Sequence, residues 1–569
     1  MPALSTDAIE LECLPYGVNQ AEEGICLLIR MGAYRVLLDC GLRDLSALKT
    51  DASQSILGET VPSRRRRQRN PALDWPADVV LCTHAHPDHS RGLLELHRTF
   101  PQLPIYASEV TTQLLHLNWP EEELSISSPF CQALPWRSPV EFRDGLSAEL
   151  FPAGHLPGAA AILLAYTGFQ RTYTLFYTGD FFLSNSRLVE GMRLEELRGL
   201  KPDVLIVEGS YGTARHPHRR QQENQIAERI SKAIALRESV ILPVPTLGLG
   251  QELLMLLRSH HLFTGRDLDI WVDDTIAAGC DAYLDLLPHL PATVQNFAQH
   301  QALFWDERVR PRVRRLTPEH RPTLGQSPCI ILIDQNANFN DYCQPETGPW
   351  TVLLPLHPGY PHHRQQWVEA LANGGESPSV QIETYLLSQH SDGSGTTQLI
   401  HNLRPQHVIF MHGSPSYLAD LAGLDELHNR YHLHTPSPLT LVELPIGDTF
   451  VQPAAPDNNY EGELSEYETT VSITLPESIT SDRRWQTFAD TGLVEARWQG
   501  EELVLRGVPQ RDLIAKSDAK VPPDLACCGN CIHYRGQRCR NPASPLFDFK
   551  VTPDGYCPVF ERLEPTDEG

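Results

Sequence analysis

The chain has 569 residues, 41% hydrophobic and 21% charged, with a formal net charge of −24. At roughly 150 residues per domain this is the composition of a soluble globular chain with about three or four domains, not one oversized core. Its acidity disfavours indiscriminate adhesion to nucleic acid or anionic lipid but leaves room for a local basic groove.

The opening residues, Met1 to Glu10, lack the basic and apolar regions of a signal peptide, and no apolar run is long enough to span a bilayer. Eight of the 13 cysteines precede residue 350, often in apolar company such as Cys40 and Cys82. They predict reduced core thiols and a cytoplasmic location. From Cys13 to Leu42 the pattern reads strand, turn, strand, turn, strand, punctuated by Gly24, Gly32 and Gly41. Asp39 closes the third run and faces a glycine turn, where a carboxylate could orient a loop. Residues 43 to 75 are polar and contain the run Arg64 to Arg69, read as a solvated loop or, secondarily, as a phosphate contact.

The richest stretch is Thr83-His84-Ala85-His86-Pro87-Asp88-His89-Ser90, directly after the apolar run Val79 to Cys82. It reads as a buried strand whose exit loop carries chemistry. Histidine and aspartate together suit a borderline divalent ion, above all zinc, and two adjacent metals make a clamp for hydrolysis. Arg91 to Phe100 predicts a helix and Pro104 to Ala107 a strand. His155, among glycines, and Asp180, expected to end the strand beginning at Leu175, are read as further ligands.

An Asp after an early strand, the H-x-H-x-D-H string, Gly154-His155 and Thr178-Gly179-Asp180, in that order, resemble the metallo-β-lactamase fold. Three later pieces resemble motifs of the β-CASP nucleic-acid hydrolases, the group of ribonuclease J and the mRNA cleavage and polyadenylation endonuclease. They are Val207-Glu208-Gly209-Ser210-Tyr211-Gly212, then Ser388-Gln389-His390-Ser391-Asp392, then the apolar run Val408 to Met411 ending in His412-Gly413. The resemblance covers roughly residues 10 to 450.

The resemblance implies an α/β chain: an αββα metallo-β-lactamase sandwich with an inserted α/β β-CASP domain, followed by a small C-terminal α+β module and a Cys-rich tail. The expected layout is the hydrolase domain over 1–212, the insertion over 213–385, a return segment over 386–450, a linker over 451–466, the module over 467–520 and the tail over 521–569. Within the insertion, helices over Glu223 to Arg237 and Gln251 to Arg258 alternate with strands over Ser239 to Pro245 and Leu268 to Val272, and a further strand spans Pro328 to Ile333. Such alternation predicts a parallel sheet. Leu247 to Glu252 resembles the family's Leu-Gly-Arg-x-Gln-Glu with Leu249 in place of Arg. The Gly-Met-Leu and Gly-Thr motifs are missing near Asp334 and Tyr360. These departures put substrate preference in doubt more than chemistry.

For the site, the resemblance assigns His84, His86 and His155 to one Zn2+ and Asp88, His89 and His412 to a second, with Asp180 bridging and Asp39 supporting the ligands from behind. Two zinc ions would activate a water for in-line attack on a phosphodiester. His390, oriented and kept basic by Glu208, would protonate the departing 3′-oxygen. With Asp88 these complete the catalytic set, giving 5′-phosphate and 3′-hydroxyl products. The expectation is a zinc-dependent ribonuclease, an endonuclease ahead of a 5′-exonuclease, acting on single-stranded RNA, alone, as a homodimer or within an RNA-processing complex. The competing readings are a DNA nuclease, a small-ester or thioester hydrolase, and an RNA- or protein-binding subunit. In the module, a strand at Val471 to Leu475, a helix near Arg484 to Ala489 and a hairpin about Gln499-Gly500 are expected. In the tail, Cys528, Cys531, Cys539 and Cys557, with His533 as a substitute, suit a structural zinc ahead of an iron–sulfur cluster.

Overall fold

The computed structural model describes residues 11–19, 23–49, 75–122, 129–169, 171–338, 341–343, 347–356 and 380–447. After these it describes 463–467, 470–474, 494–499, 502–507, 530–535, 538–542 and 561–562. The arginine run at 64–69 and the helix expected near Arg484 lie outside the described residues, as do Cys528, Cys557 and the Cys539 side chain. The chain divides into two compact units, Met1–Ala455 and Pro456–Gly569.

Two seven-stranded sheets build the body of the first unit. The first contains β1 (Leu11–Asn19), β2 (Gly24–Met31), β3 (Tyr34–Leu38), β4 (Val79–Leu81), β5 (Ile105–Ser108) and β6 (Gln132–Leu134) in that order. The second sheet contains β7 (Val140–Arg143), β8 (Leu146–Pro152), β9 (Ala160–Thr167), β10 (Thr172–Tyr177) and β11 (Val204–Glu208), side by side. Alternation along each strand sends one set of side chains between the sheets and the other toward the helices. In β2, Ile25, Leu27, Ile29 and Met31 join Ile162, Leu164, Leu175 and Ile206 in the inter-sheet core. Cys26 and Leu28 face the opposite way and pack in the second core, with Leu93 and Leu96 of the helix Leu93–Thr99. This is the layered αββα arrangement expected from the sequence.

A third, six-stranded sheet interrupts the second one in sequence. It holds β12 (Ser239–Val244), β13 (Asp269–Val272), β14 (Arg312–Arg315), β15 (Ile330–Asp334), β16 (Trp350–Pro355) and β17 (Val380–Tyr385). Every pairing in it is parallel; helix Arg219–Ala235 leads into it from β11, and helices Leu249–Ser259 and Asp274–Asp285 supply crossovers. The chain then returns as β18 (His407–Met411), which pairs in parallel with β11 so that Glu208 stands beside Met411. β19 (His432–His434) continues that sheet, and β20 (Val442–Glu443) crosses to the first sheet beside β1. The insertion therefore leaves and re-enters at neighbouring strand ends.

Two element boundaries differ from expectation by three residues or more. The helix expected at Glu223 starts at Arg219, because its first turn (Arg219, Arg220, Gln222) has no apolar periodicity to signal it, yet buries Gln222 and Glu223 in polar contacts. The strand before Asp180 ends at Tyr177, so Asp180 lies in the following loop. The eight cysteines before residue 350 are free and buried, and among the described residues no helix is long and apolar enough to cross a membrane.

In the second unit, strands Glu463–Tyr467 and Thr470–Thr474 pair antiparallel, as do Val494–Gln499 and Glu502–Gly507, the latter being the expected hairpin. Near the tail, Cys531 is buried and His533 Nε2 lies 3.1 Å from Glu561.

Candidate active site

The described His, Asp and Glu residues singled out in the first unit lie at strand ends or in the loops that follow them. β3 delivers Asp39, β4 delivers the loop Thr83–His89, the turn between β8 and β9 delivers His155, and the loop after β10 delivers Asp180. β11 ends in Glu208, β18 is followed by His412, and the returning loop carries His390. Two of these positions are conformationally costly. Asp39 (φ 59°) and His412 (φ 56°) occupy the left-handed region, which costs of order 1–2 kcal/mol for a residue with a Cβ. Main-chain bonds hold both: Asp39 N donates to Leu81 O at 2.9 Å and His412 N to Val18 O at 2.8 Å. Gly41 makes the approach of the first loop to the second possible, because a Cβ there would fall 1.6 Å from Asp88 O.

The side chains converge as two adjoining clusters. In the first, His86 Nδ1 lies 3.2 Å from His84 Nε2 and 3.0 Å from His155 Nε2. Asp180 Oδ2 stands 3.5 Å from the His84 nitrogen and 3.6 Å from that of His155. In the second, Asp88, His89 and His412 bring ligand atoms within 4.8 Å of one another. Asp180 Oδ1 lies 3.3 Å from His89 Nε2, so this one carboxylate faces both clusters.

Each imidazole is oriented by an oxygen on its far side. His84 Nδ1 donates to Thr83 Oγ1 (3.1 Å), His86 Nε2 to Leu247 O (3.3 Å) and His155 Nδ1 to Gln389 O (2.8 Å). His89 Nδ1 donates to Asp39 Oδ2 (2.8 Å), and His412 Nδ1 lies 3.0 Å from Ser210 Oγ and 3.2 Å from Asp180 Oδ1. Carbonyl and carboxylate oxygens only accept, and the Thr83 hydroxyl gives its proton to Asp39, so in the neutral rings of His84, His86, His89 and His155 the proton sits on the outward nitrogen and the lone pair points inward, the tautomer that a metal ligand needs. Asp39 is itself held by Thr83 N at 2.7 Å, Thr83 Oγ1 and Tyr177 Oη at 2.7 Å.

Electrostatics separate the clusters: without an ion, His84 and His155 are held neutral, whereas His89 and His412 favour the imidazolium form and must give up a proton to ligate a metal. Burial, reinforced by neighbouring imidazoles, pushes His84 down and His155 down to about 3, keeping both rings neutral. At His89 and His412 burial acts the same way, but Asp180 and the other carboxylates outweigh it, raising His412 to about 9. Buried His89 Nε2 and Asp180 Oδ1 face each other at 3.3 Å without good hydrogen-bond geometry, an arrangement that a cation between them would complete. Nitrogen and oxygen donors in this number suit zinc. The residues that could hold it are His84, His86, His155 and Asp180 on one side and Asp88, His89 and His412 on the other, while Asp180, Glu208, His390 and His412 also bring ligand atoms together between them.

Beside the clusters lies the third group. His390 Nδ1 is 2.8 Å from Glu208 Oε2 and 3.9 Å from Asp180 Oδ2, and its ring centroid is 4.5 Å from that of His155. Glu208 also accepts from Phe181 N (2.7 Å) and from the Ser210 hydroxyl. Burial disfavours a charged His390, yet Glu208 and Asp180 raise it overall. Thr83, Tyr177 and Ser210 were given no role from sequence. Ser210 and Thr83 stand inside the motifs already quoted, whereas nothing local marks Tyr177.

Residues 34–238 match the model of the β-lactamase superfamily domain, and residues 379–433 match that of the Zn-dependent metallo-hydrolase RNA specificity domain. An uncharacterized protein of Synechocystis is 48% identical over 97% of this chain and 96% of its own length. A probable RNase of Methanocaldococcus jannaschii is 28% identical over 44% of this chain and 56% of its own. The cleavage and polyadenylation specificity factor 73 of Drosophila melanogaster is 21% identical over 74% of this chain and 62% of its own.

Proposed function

Starting from a chain that belongs to the metallo-β-lactamase β-CASP ribonuclease family, we propose that it is a two-zinc ribonuclease cutting single-stranded RNA internally to leave a 5′-phosphate and a 3′-hydroxyl. His84, His86 and His155 would hold one ion, Asp88, His89 and His412 the other, and Asp180 both. When bound, the ions would supply a water activated for attack and neutralise charge on the phosphate oxygens.

The rest of the chemistry falls to this chain's own side chains. His390 Nδ1 is engaged by Glu208, so the ring's Nε2 is the atom that would pass a proton to the departing 3′-oxygen. Glu208, fixed by Phe181 N and Ser210, keeps the ring from turning and favours its charged form. The Ser388–Asp392 segment resembles the polyadenylation-type motif more than the Ser-Gly-His-Ala of ribonuclease J, which favours internal cleavage over 5′-exonuclease action. In the tail, buried Cys531 would join Cys528, Cys539 and Cys557 around a structural zinc.

The observation that bears most weight is the 2.8 Å His390–Glu208 pair placed against two converging ligand clusters. A metal-binding role alone would not require it. The test is cleavage of one RNA labelled separately at each end, with Asp88→Ala and His390→Ala beside the wild type. Internal fragments should be lost with Asp88→Ala and slowed about 10²–10⁴-fold with His390→Ala. Fragments appearing at the wild-type rate with His390→Ala would remove the general-acid assignment. Mononucleotides released only from the 5′-end would replace internal cleavage by exonuclease action.

A further inference from the structure

His86 is oriented by the inserted domain. The imidazoles of His84, His89, His155 and His412 are oriented by oxygens of Thr83, Asp39, Gln389 and Ser210, from the hydrolase strands and the returning loop. The His86 acceptor, Leu247 O at 3.3 Å, lies instead between β12 and the helix Leu249–Ser259. The turn around it is tight. Gly248 has φ 91°, and a Cβ there would fall 2.7 Å from Leu156 Cδ2 and 2.9 Å from Gln389 Nε2. Gln251 Nε2 donates to Thr246 O at 3.0 Å, fixing the turn from the helix side.

What fixes that helix against the hydrolase body is Glu252, which is 3% exposed. Its Oε1 accepts from Ser186 Oγ (2.8 Å) and Leu188 N (2.8 Å), and its Oε2 from Arg187 N (2.9 Å) and from the Arg219 guanidinium at 3.3 Å. Two main-chain amides and a hydroxyl of the loop between β10 and β11 thus share one carboxylate with the Arg219 guanidinium, and the same loop meets the insertion again where Arg187 bonds Glu223 and Ser259. Arg219 also donates to Ser388 O, while Gln222 Oε1 accepts from Ser388 N at 2.8 Å. The same junction therefore steadies the segment whose Gln389 carbonyl orients His155.

We propose that Glu252 is a positioning residue for the first metal cluster: by latching the inserted domain onto Ser186–Leu188 it holds the Leu247 carbonyl on His86 and keeps His86 Nδ1 turned inward. The inference rests on the reading of His84, His86 and His155 as ligands of one ion. It predicts selectivity. Among the described contacts, the His84/His86/His155 cluster is the one that depends on a carbonyl of the inserted domain, whereas His89 and His412 face Asp39 and Ser210.

The experiment uses the full chain loaded with zinc, and follows release of each zinc to a chelating dye in wild type, Glu252→Gln, Gly248→Ala and Asp281→Asn. Glu252→Gln keeps volume but cannot accept from all four donors, and should release one active-site zinc roughly 10–100-fold faster while the other leaves at the wild-type rate. Gly248→Ala disturbs the same carbonyl from the other side and should reproduce that selective loss. Asp281→Asn removes an ion pair to Arg315 elsewhere in the inserted domain and should leave both rates unchanged. Wild-type release from both folded Glu252→Gln and folded Gly248→Ala would overturn the proposal. So would equal acceleration of both zincs in Glu252→Gln, which marks general loosening of the fold. A wild-type chain that binds no active-site zinc would instead overturn the metal reading on which the proposal stands.

Discussion

Asp39 shows how much of this site depends on single side chains placed against backbone preference. Its left-handed backbone is tolerated because Thr83 N, Thr83 Oγ1, His89 Nδ1 and Tyr177 Oη all donate to its carboxylate. Tyr177 is 1% exposed, so its hydroxyl has no water to fall back on. Tyr177→Phe removes one donor from a buried carboxylate without opening a cavity, and should cost about 1–3 kcal/mol of stability. Thermal unfolding at fixed zinc reads this directly, and an unchanged midpoint would show that the other donors suffice. Asp39 itself was legible from sequence as a carboxylate facing a glycine turn. Tyr177 was not, because it lies 138 residues away and looks like any aromatic in an apolar strand. The candidate ligands in His84–His89 were readable for the opposite reason: six residues hold a dense His/Asp pattern that stands out before any distant partner is known.

Elements were legible where burial imposes a period. β2 and β3 alternate or run apolar between glycines, and the insertion's βα alternation does specify a parallel sheet. Where polar contacts set the boundary, as at Arg219 and in the loop before Asp180, no periodic signal exists. The edge pair β18–β19 gives an element-scale prediction. His407 Nε2 donates to Pro445 O at 3.0 Å, so its Nδ1 accepts from His434 Nε2, also at 3.0 Å. Burial, with the nearby His407 and His432 rings, lowers His434 to about 4. A histidine depressed in the fold is neutral there while the unfolded chain already takes up a proton. Its contribution is therefore intact above about pH 6.5 and is lost as pH falls toward 4. The loss should reach on the order of 2 kcal/mol after allowance for partial exposure. Urea midpoints measured at pH 7.5 and pH 4.5 should fall further for the wild type than for His434→Asn, while histidines elsewhere contribute equally to both proteins. Equal falls would show that protonation of this pair does not load the sheet edge.

At the scale of the whole molecule, the unit Met1–Ala455 contains every residue of both clusters together with Glu208, His390 and the Glu252 latch, and Pro456–Gly569 contains none of them. The first unit also holds both large sheets and the inserted one, and among the described residues its core clusters are built from its own side chains. An enzyme built this way should survive truncation, whereas a protein whose activity is mainly association through its C-terminal part should not. A chain ending at Ala455 should therefore cleave RNA with kcat within roughly threefold of the full chain, as expected of a domain with its own core. If the tail's thiols hold a structural zinc, the truncated chain should also contain one fewer zinc equivalent by elemental analysis. The two readouts separate the possibilities. Retained cleavage with one zinc fewer assigns catalysis to the first unit and a metal to the second. Retained cleavage with unchanged zinc would remove the metal from the tail. A folded, zinc-loaded truncation that no longer cleaves would place part of the catalytic machinery beyond residue 455, against the self-contained first-unit site argued above.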